Sequence, residues 1–429
     1  MGSLNPSRSL NIIVAGAGIA GVTAAVALRQ AGHTVHLLEK SAFANPEVGA
    51  AINVTPNGAR LLRSLGFDFE RALAYRVTGY NFVRGENLEK LNIVHDVPKI
   101  EPGTWAVHRA DLHAELMRLA REVHDGTESK ASGPPVDLRL GTRVQNVFSR
   151  DDGAGVILDN GETASADIVV VADGGNSVLR SYVLGEGDDE AKKPVHSGMA
   201  AFRFLIETNK LKADKELAAW LDTTVGTVTL FADMAETAKE RHMIWYGCHG
   251  NKLQNFVGIH PSEIQTIEES DELKGAMMQE YDHFDTSIKT MIGMASHLKR
   301  WPLYVHEPIS TWVRGRVVLI GDAVHPMLPF GAQGANMAIE DGAALGFLMK
   351  GSGENDIVDS LIKFEKLRSK RAARVQILSS VRAGREPEVQ EKLTKYLDSD
   401  VTRPPATNSE RCMHDWGYDL LAEGEKLAL

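Results

Sequence analysis

Short apolar runs alternate with a longer segment of helical spacing at the start of the chain. Asn11 to Ala15 and His33 to Glu39 have the hydrophobic character of strands, and Gly18 to Gln30 between them has the small-residue pattern of a helix. Strands that are apolar at nearly every position are typical of a parallel sheet with both faces covered. The pattern therefore predicts a strand–helix–strand unit of about 30 residues that opens a parallel sheet.

Two later apolar runs, Ile168 to Ala172 and Arg316 to Ile320, predict further buried strands of the same sheet, and Ala335 to Met349 predicts the helix that follows. Aspartate–glycine and asparagine–glycine pairs between Arg143 and Ala172 are hairpin signals, so we expect a small antiparallel meander there. Residues 194 to 308 instead show aromatic-bearing strands and a few helices. The chain is thus predicted to leave its parallel sheet for a mainly antiparallel one and then to return.

Composition narrows the class of protein. The 429 residues are 43% hydrophobic and 24% charged, as in ordinary globular proteins. The net charge is −10 without a basic stripe, so nucleic acid is not an expected partner. Cys248 and Cys412 lie far apart, which excludes a disulfide framework and fits a reducing compartment. Because no apolar run reaches the roughly 18 residues of a spanning helix and no signal-peptide core is visible, we expect a cytoplasmic protein without a membrane partner.

Three glycines, Gly16, Gly18 and Gly21, follow the first strand directly. At this spacing the first permits a tight turn, the second lets the backbone approach a pyrophosphate, and the third lets helix and strand pack closely. The helix then offers unpaired N–H groups to the anion. Glu39 ends the second strand, where a carboxylate accepts hydrogen bonds from ribose hydroxyls. These residues predict an adenine-dinucleotide site, but the adenosine half is common to NAD and FAD.

Two further loops favour FAD. Asp173 and Gly174 follow one apolar strand, and Gly321 and Asp322 follow another and lead through a turn rich in proline and glycine to a helix. Three strand-end loops can together hold a long two-part cofactor. No HExxH, GxSxG or phosphate-loop pattern occurs in the sequence, so neither a metal site nor a nucleophilic serine is expected.

In these motifs, and over nearly its whole length, the chain resembles the class A flavoprotein aromatic monooxygenases, particularly the salicylate-hydroxylase-like group of the para-hydroxybenzoate hydroxylase superfamily. The matching segments have the order and spacing of that family. They are GAGIAG at 16–21, Glu39, GAAINVTPNGARLL at 49–62, HRADLHAEL at 108–116, VVVADGGNSVLR at 169–180, AFRFLI at 201–206, WYGCHGNKLQNFVGI at 245–259 and GDAVHPMLPFGAQGANMAIEDG at 321–342.

The resemblance implies an α/β fold: a Rossmann-like FAD-binding domain of the glutathione-reductase type, an inserted and mainly antiparallel β-sheet substrate domain, and a helical C-terminal tail. It assigns residues 1–193 to the first part of the FAD-binding domain, 194–308 to the substrate domain, 309–356 to the second part of the FAD-binding domain, and 357–429 to the tail.

The resemblance also implies where the cofactor lies. Asp322 would bind a ribityl hydroxyl, and Gly334 and Ala335 would present backbone N–H groups to the edge of the isoalloxazine that becomes anionic on reduction. Arg109 would reach the ribityl or phosphate region, and Ala51 would lie against the cofactor. The complete predicted FAD site is Gly16, Gly18, Gly21, Glu39, Lys40, Ala51, Arg109, Asp173, Gly321, Asp322, Pro329, Gly334 and Ala335.

The implied enzyme is a single-component monooxygenase that uses NADPH or NADH as a transient reductant and O2 as the oxidant. It would hydroxylate an aromatic or heteroaromatic small molecule through a flavin C4a-hydroperoxide, which needs a closed and mostly apolar pocket. Transfer of OH is faster to a deprotonated phenol, so the site needs a cation and a group that relays the proton. Arg203 and Tyr246 are the candidate catalytic residues, and strand alternation places Trp245 on the face opposite Tyr246.

Several alternatives stay open at this point. The substrate can be salicylate-like, phenolic or indolic, and the reaction can be simple or decarboxylative hydroxylation, dearomatisation or epoxidation, because all of these have the same motifs. A flavin oxidase or dehydrogenase on the same fold and a flavin-binding protein without catalysis are alternative functions. The motifs do not distinguish NADH from NADPH, or a monomer from a homodimer.

Overall fold

The computed structural model describes residues 9–42, 50–91, 98–123, 133–185, 194–236, 239–270, 272–399 and 401–428. Its strands are β1 (Asn11–Ala15), β2 (Thr34–Leu38), β3 (Ala51–Val54), β4 (Tyr75–Val77), β5 (Gly79–Arg84), β6 (Thr104–His108), β7 (Asp137–Arg139), β8 (Val144–Arg150), β9 (Gly153–Leu158), β10 (Thr163–Ala166), β11 (Ile168–Val171), β12 (Val195–Glu207), β13 (Thr227–Ala232), β14 (His242–Cys248), β15 (Leu253–Pro261), β16 (Glu268–Glu269), β17 (Ser296–Val305), β18 (Val313–Arg314) and β19 (Val317–Leu319). Its α-helices are α1 (Ile19–Gln30), α2 (Pro56–Ser64), α3 (Arg109–Arg121), α4 (Arg180–Leu184), α5 (Thr208–Ala213), α6 (Lys215–Thr223), α7 (Leu273–Glu280), α8 (Thr286–Gly293), α9 (Gly334–Met349), α10 (Ile357–Leu378), α11 (Gln390–Thr394), α12 (Asn408–Trp416) and α13 (Leu420–Ala428).

A six-stranded sheet forms the centre of the first half of the molecule, with the order β18-β19-β11-β1-β2-β7. β1 pairs in parallel with both β2 and β11, and β11 pairs in parallel with β19. The apolar residues of these strands are buried in one large core. The predicted strand–helix–strand unit and the return of the chain to its first sheet are therefore confirmed, and the predicted meander is the three-stranded sheet β10-β9-β8.

Helices α1 and α9 lie side by side at very short range. A Cβ on Gly346 would be 2.5 Å from the Cβ of Ala27, and one on Gly342 would be 2.6 Å from the backbone nitrogen of Ala24. Small residues on both helices permit this approach. Because Ala24 meets Gly342 and Ala27 meets Gly346, the helices run in the same direction and their amino termini lie at the same end of the sheet.

A seven-stranded sheet forms the second half, with the order β16-β17-β12-β15-β14-β13-β5. One face carries large apolar side chains, among them Phe202, Phe231 and Trp245, and packs against helices α5 to α8. The other face looks toward the first half of the molecule. Trp245 thus lies on the face opposite Tyr246, as alternation along β14 predicts.

One strand of this sheet comes from outside the predicted substrate domain. β5 lies within residues 1–193, yet Gly79 pairs with Thr227 and Arg84 with Ala232 in a parallel ladder with β13. A partner so distant in sequence leaves no local signal, so the pattern of β5 indicates a strand without indicating its sheet. The substrate sheet therefore extends beyond the predicted boundary at residue 193.

The C-terminal tail packs against α9 through a buried ion network. Arg368 pairs with Glu340 and with Asp341 at 2.9 Å, and Arg371 pairs with Glu340 at 3.1 Å. All four side chains are buried. Within the described part of the chain, no helix combines the length and the hydropathy needed to cross a bilayer.

Candidate active site

A cavity of about 510 Å³ separates the carboxyl end of the parallel sheet from the open face of the seven-stranded sheet. In α/β proteins this end of a parallel sheet is where ligands bind. Nine of the predicted site residues line it: Gly18, Ala51, Arg109, Arg203, Tyr246, Asp322, Pro329, Gly334 and Ala335. The other six, which lie beside or away from the cavity, are Gly16, Gly21, Glu39, Lys40, Asp173 and Gly321.

The three glycines of the first motif, two in the loop after β1 and one in the first turn of α1, differ in what surrounds them. Gly16 has a φ of +108°, and a Cβ there would lie 2.3 Å from the carbonyl oxygen of Ala172. A Cβ on Gly21 would lie 1.9 Å from the carbonyl oxygen of Gly16. Around Gly18, in contrast, no atom comes within 4 Å of the added Cβ. Gly16 and Gly21 therefore permit packing of the turn, and Gly18 leaves room for a ligand at the start of α1.

Glu39 closes this loop from the neighbouring strand. Its Oε2 accepts a hydrogen bond from the backbone N–H of Ala17 at 2.8 Å, and its Oε1 accepts one from Ser41 at 2.8 Å. A carboxylate has about four acceptor positions, so both oxygens can also accept from a ligand hydroxyl. Lys40 is exposed and does not line the cavity.

The second loop is held by Asp173, whose Oδ2 accepts hydrogen bonds from the backbone N–H groups of Val178 and Leu179. Gly321 begins the third loop with a φ of +61°, and a Cβ there would lie 2.6 Å from the Cβ of Ala20 in α1. Asp173 and Gly321 thus shape their loops, and the contact with Ala20 brings the third loop against the first.

Asp322 is the charged residue of the third loop. Its side chain opens into the cavity but is surrounded by protein, and this removal from bulk water raises its pKa, although the charges of His325, Arg109 and Arg180 counteract the shift. Burial likewise lowers the pKa of Arg109, against the charge of Asp322. The cavity therefore holds a carboxylate and a guanidinium close enough to interact, both facing open space.

The N-terminus of α9 faces the same space. Gln333, fully buried before the helix, donates from Nε2 to Thr55 Oγ1 at 3.1 Å and accepts at Oε1 from Asn57 at 3.1 Å. Asn57 also donates to Glu340 at 2.7 Å. The first N–H groups of an α-helix have no acceptor within the helix, so those near Gly334 are available to a ligand.

These features suit a bound FAD. Gly18 with the N-terminal end of α1, the N-terminal end of α9, and Asp322 all line this one cavity, and they are groups that could hold a pyrophosphate, a flavin ring and a ribityl hydroxyl, respectively.

The opposite wall is the open face of the seven-stranded sheet. On β14, His242, Ile244 and Tyr246 all line the cavity because they alternate along the strand. The hydroxyl of Tyr246 donates to the carbonyl oxygen of Ala51 at 2.8 Å, and burial raises the pKa of Tyr246. Tyr246 is thus a neutral phenol whose oxygen lone pairs remain free to accept from a substrate hydroxyl.

Arg203 on β12 reaches the cavity beside Tyr246. Among the described residues it has no ion pair, its Nε has no hydrogen-bond partner, and its guanidinium lies 5.9 Å from the ring centre of Trp301. Burial lowers its pKa, the contribution of Tyr246 opposes this, and the charge of Arg109 adds to it. A buried cation without a carboxylate partner is costly unless a ligand supplies the negative charge.

His242 is a candidate that the sequence analysis missed. Its side chain is 1% exposed, and its Nδ1 lies 2.9 Å from Oε1 of Glu240. Its ring lies 5.6 Å from that of Phe330, which belongs to the flavin-side turn. The signal was present in the sequence, because the alternation that places Tyr246 on the cavity face of β14 also places the residue four positions before it there.

The tail also contributes a wall that the sequence did not predict. Arg382 and residues of α12 line the cavity, and the ring of Trp416 stacks on that of Tyr80 from β5, with centres 6.0 Å apart. Burial raises the pKa of Tyr80 to about 12. The cavity is therefore enclosed by three parts of the chain that are distant in sequence.

Comparison with known proteins agrees with this geometry. A family model described as FAD binding domain matches residues 9–376. An FAD-dependent monooxygenase of Aspergillus candidus, cfoG, is 32% identical over 97% of this chain and 94% of its own length. Hispidin-3-hydroxylase of Neonothopanus nambi is 33% identical over 98% of this chain and 96% of its own length. A solved salicylate hydroxylase in complex with its substrate has the same fold, with a TM-score of 0.72 at 23% identity over 98% of both chains.

Proposed function

Because this chain belongs to the FAD-binding-domain family of flavoprotein monooxygenases, we propose that its cavity binds a phenol or an aromatic acid directly beside FAD. The chain is a class A, FAD-dependent monooxygenase that takes its electrons from NAD(P)H and hydroxylates an aromatic compound. We further infer where the substrate lies in the cavity and which residues act on it. A cytoplasmic location and a monomeric or homodimeric state stay predictions.

The predicted FAD residues have distinct parts in this proposal. Gly18 and the N-terminus of α1 would receive the pyrophosphate, Glu39 the ribose of the adenosine half, and Asp322 a ribityl hydroxyl. The N-terminus of α9 at Gly334 and Ala335 would face the flavin ring, where the helix dipole favours negative charge. Bound FAD supplies the redox chemistry, accepting a hydride from NAD(P)H and passing one oxygen atom of O2 to the substrate.

Apolar side chains keep water from the reacting centre. Val228, Leu230, Ile244 and Val257 line the sheet side of the cavity, and Phe330 lines the flavin side. Exclusion of water strengthens the electrostatic interactions in the cavity and limits the side reaction that releases hydrogen peroxide. A substrate ring would therefore lie between Phe330 and the sheet.

Three polar side chains would then act on the substrate. Arg203 would hold a carboxylate or a phenolate, because it brings to the cavity a positive charge that no carboxylate in the described ranges pairs with. Tyr246, whose own proton is engaged by Ala51, would accept a hydrogen bond from the substrate hydroxyl. His242 would take the proton: the substrate O–H bond breaks, an N–H bond forms at Nε2, and the electron pair stays on the substrate oxygen, which activates the ring.

One observation carries the proposal. Arg203 on β12 and both Tyr246 and His242 on β14 lie on one face of the sheet, on the two strands that flank β15. All three line the same apolar cavity as Asp322 and the N-terminus of α9. Beside a flavin site, a cation can hold a phenolate, a hydrogen-bond acceptor can orient the substrate hydroxyl, and a histidine can take its proton.

Stimulated cofactor consumption tests the proposal. We expect FAD-reconstituted protein to consume NADH or NADPH faster when it is given salicylate, 4-hydroxybenzoate, catechol or 4-hydroxycinnamate, with an oxygenated product for at least one of them. His242→Asn should retain FAD and form less oxygenated product for each NAD(P)H consumed. The remaining NAD(P)H consumption should yield hydrogen peroxide. If His242→Asn keeps the product yield of the wild type, the assigned role of His242 is wrong.

A further inference from the structure

Two arginines of the C-terminal tail contact Glu240, whose carboxylate lies beside the imidazole of His242. Arg382 and Arg385 lie in the segment after α10, beyond the residues that match the family model. The Nε of Arg382 is 3.1 Å from both carboxylate oxygens of Glu240, and Nη1 of Arg385 is 2.9 Å from Oε2. Glu240 therefore receives two cations from a segment about 140 residues away in sequence.

The Glu240 carboxylate contacts the imidazole and both arginines. Oε1 lies 2.9 Å from Nδ1 of His242, Oε2 accepts from Arg385, and Nε of Arg382 lies at equal distance from the two oxygens. Its side chain is only 13% exposed. Burial alone would raise the pKa of Glu240, but the hydrogen bond with His242 and the charges of Arg382 and Arg385 outweigh it and hold the pKa below its ordinary value. Glu240 is thus a carboxylate that can accept the Nδ1–H of a neutral imidazole.

We propose that Arg382 and Arg385 are positioning residues that fix Glu240 against Nδ1 of His242, so that the Nε2 lone pair is presented to the hydroxyl of a phenolic substrate. The inference rests on the proposed function of His242. It assigns to the tail a part in the reaction, since the tail sets the tautomer of the imidazole. A carboxylate that orients a histidine base in this way is a general device of enzymes, here completed by a pair of cations.

Other polar groups of the described chain near His242 have partners of their own. Arg241, the residue before β14, pairs with Asp233 and with Glu280 at 2.6 Å each. The hydroxyl of Tyr281 donates to the backbone carbonyl of His242 at 3.3 Å, and Arg385 pairs also with Glu388 at 2.6 Å. Among the described residues, Glu240 is the carboxylate that reaches the imidazole. If the Glu240 carboxylate were displaced, Nδ1 of His242 would therefore lose this hydrogen-bond acceptor.

Nitrogen-15 NMR of the FAD-loaded protein, labelled at histidine side chains and measured at pH 8 without substrate, tests the inference. The signals of His242 are those absent in His242→Asn. We expect the wild type to show the neutral tautomer with the proton on Nδ1. The double variant R382Q/R385Q and the variant Glu240→Gln should both lose it, with at least half of the imidazole converted to the Nε2–H tautomer.

Two further variants provide a milder substitution and a control. Arg385→Gln alone, at a side chain that is 39% exposed, should show a smaller change in the same direction if the double variant does not fold. Arg403→Gln removes an exposed arginine of the same tail that pairs with Glu410, and it should leave the tautomer of His242 unchanged. An Nδ1–H tautomer that persists in R382Q/R385Q and in Arg385→Gln would overturn the inference, as would an Nε2–H tautomer in the wild type.

The outcome is separable from that of the proposed function because the NMR measurement needs no turnover. The expected tautomers together with no phenol-stimulated consumption of NAD(P)H would contradict the proposed function and would support the positioning of Glu240 by Arg382 and Arg385. A reduced product yield in His242→Asn together with an unchanged tautomer in R382Q/R385Q would contradict only that positioning role.

Discussion

Arg203 brings a positive charge into a cavity in which, among the described residues, it has no ion-pair partner. Around it the polar groups are few and each has a defined state: Tyr246 is a neutral phenol, and His242 has one ring nitrogen engaged by Glu240. We therefore propose that these side chains bind an anionic group of the substrate and accept its proton, and the next two predictions concern that anion and that proton.

Replacement of Arg203 tests the binding of the anion. Arg203→Gln should weaken the binding of salicylate by about 10- to 100-fold, since a hydrogen bond to a charged group contributes about 1.5–3 kcal/mol. The dissociation constant can be measured from the change that the ligand causes in the absorbance of bound flavin. Arg203→Lys, which keeps the charge, should lose less. Equal affinity in wild type and Arg203→Gln would show that the guanidinium does not contact the ligand.

Replacement of Tyr246 tests the acceptor of the hydroxyl. Tyr246→Phe should retain FAD, because the ring still fills its place on β14. Its yield of oxygenated product should fall by at least half, and hydrogen peroxide should be released instead. Peroxide and product are measured for each NAD(P)H consumed. The matched control is Trp245→Phe, on the opposite face of the same strand, which should leave the ratio unchanged. Similar uncoupling in both variants would indicate a general disturbance of the sheet.

At the scale of elements, the loops after β1, β11 and β19 are held by packing that is independent of any ligand. Gly16 fits against Ala172, and Gly321 fits against Ala20, so the three loops contact one another. The parallel packing of α1 on α9 then directs both helix N-termini into the cavity. Behind α9, Glu340 links the helix to α10 through Arg368 and Arg371.

Alanine at Gly21 and alanine at Gly18 should have opposite effects on folding stability and on FAD binding. Gly21→Ala should lower the free energy of unfolding of the apoprotein by about 2–4 kcal/mol, because its Cβ would lie 1.9 Å from the carbonyl oxygen of Gly16. Gly18→Ala should change it by less than about 1 kcal/mol, since an added Cβ meets no atom within 4 Å, and should weaken FAD binding at least tenfold if this space receives the pyrophosphate, as we propose. Urea unfolding and FAD titration measure the two effects. The assignment fails if Gly18→Ala binds FAD as well as the wild type.

The ion network behind α9 predicts a dependence of stability on pH. Burial would raise the pKa of Glu340, but the charges of Arg371 and Arg368 prevail and lower it. A carboxyl with a lowered pKa in the folded state stabilises that state above the ordinary pKa of 4.5, and this contribution is lost as the pH falls through the folded-state value. The urea midpoint of the wild type should therefore fall steadily below about pH 4.5.

Glu340→Gln isolates this contribution. It should be less stable than the wild type by about 3–5 kcal/mol at pH 7, because it removes the carboxylate that Arg368 and Arg371 share in the buried network, and its stability should depend less on pH below 4.5. Lys363→Gln, at an exposed pair with Asp359 on α10, should cost less than about 1 kcal/mol. Equal losses in the two variants would contradict the role given to the buried network.

At the scale of the whole molecule, the sequence predicts what depends on local pattern. The β1–α1–β2 unit, the strand-end loops and the alternation on β14 are local, and the structure contains them. Two other features are not local: the pairing of β5 with β13 and the contact of Arg382 with Glu240. Both join residues more than 140 positions apart, and the periodicity of a segment does not indicate which distant segment it contacts. The cavity depends on both kinds of feature, so its flavin side was predictable and its tail side was not.

Transfer of one atom of O2 to an aromatic substrate beside FAD can be measured as the oxygen isotope content of the product when FAD-loaded protein, NAD(P)H and the four aromatic probes react under ¹⁸O2. We expect one ¹⁸O atom in the product for each NAD(P)H that is consumed productively. A product whose new oxygen comes from water, or hydrogen peroxide as the sole product with every probe, would show that the cavity does not carry out this transfer.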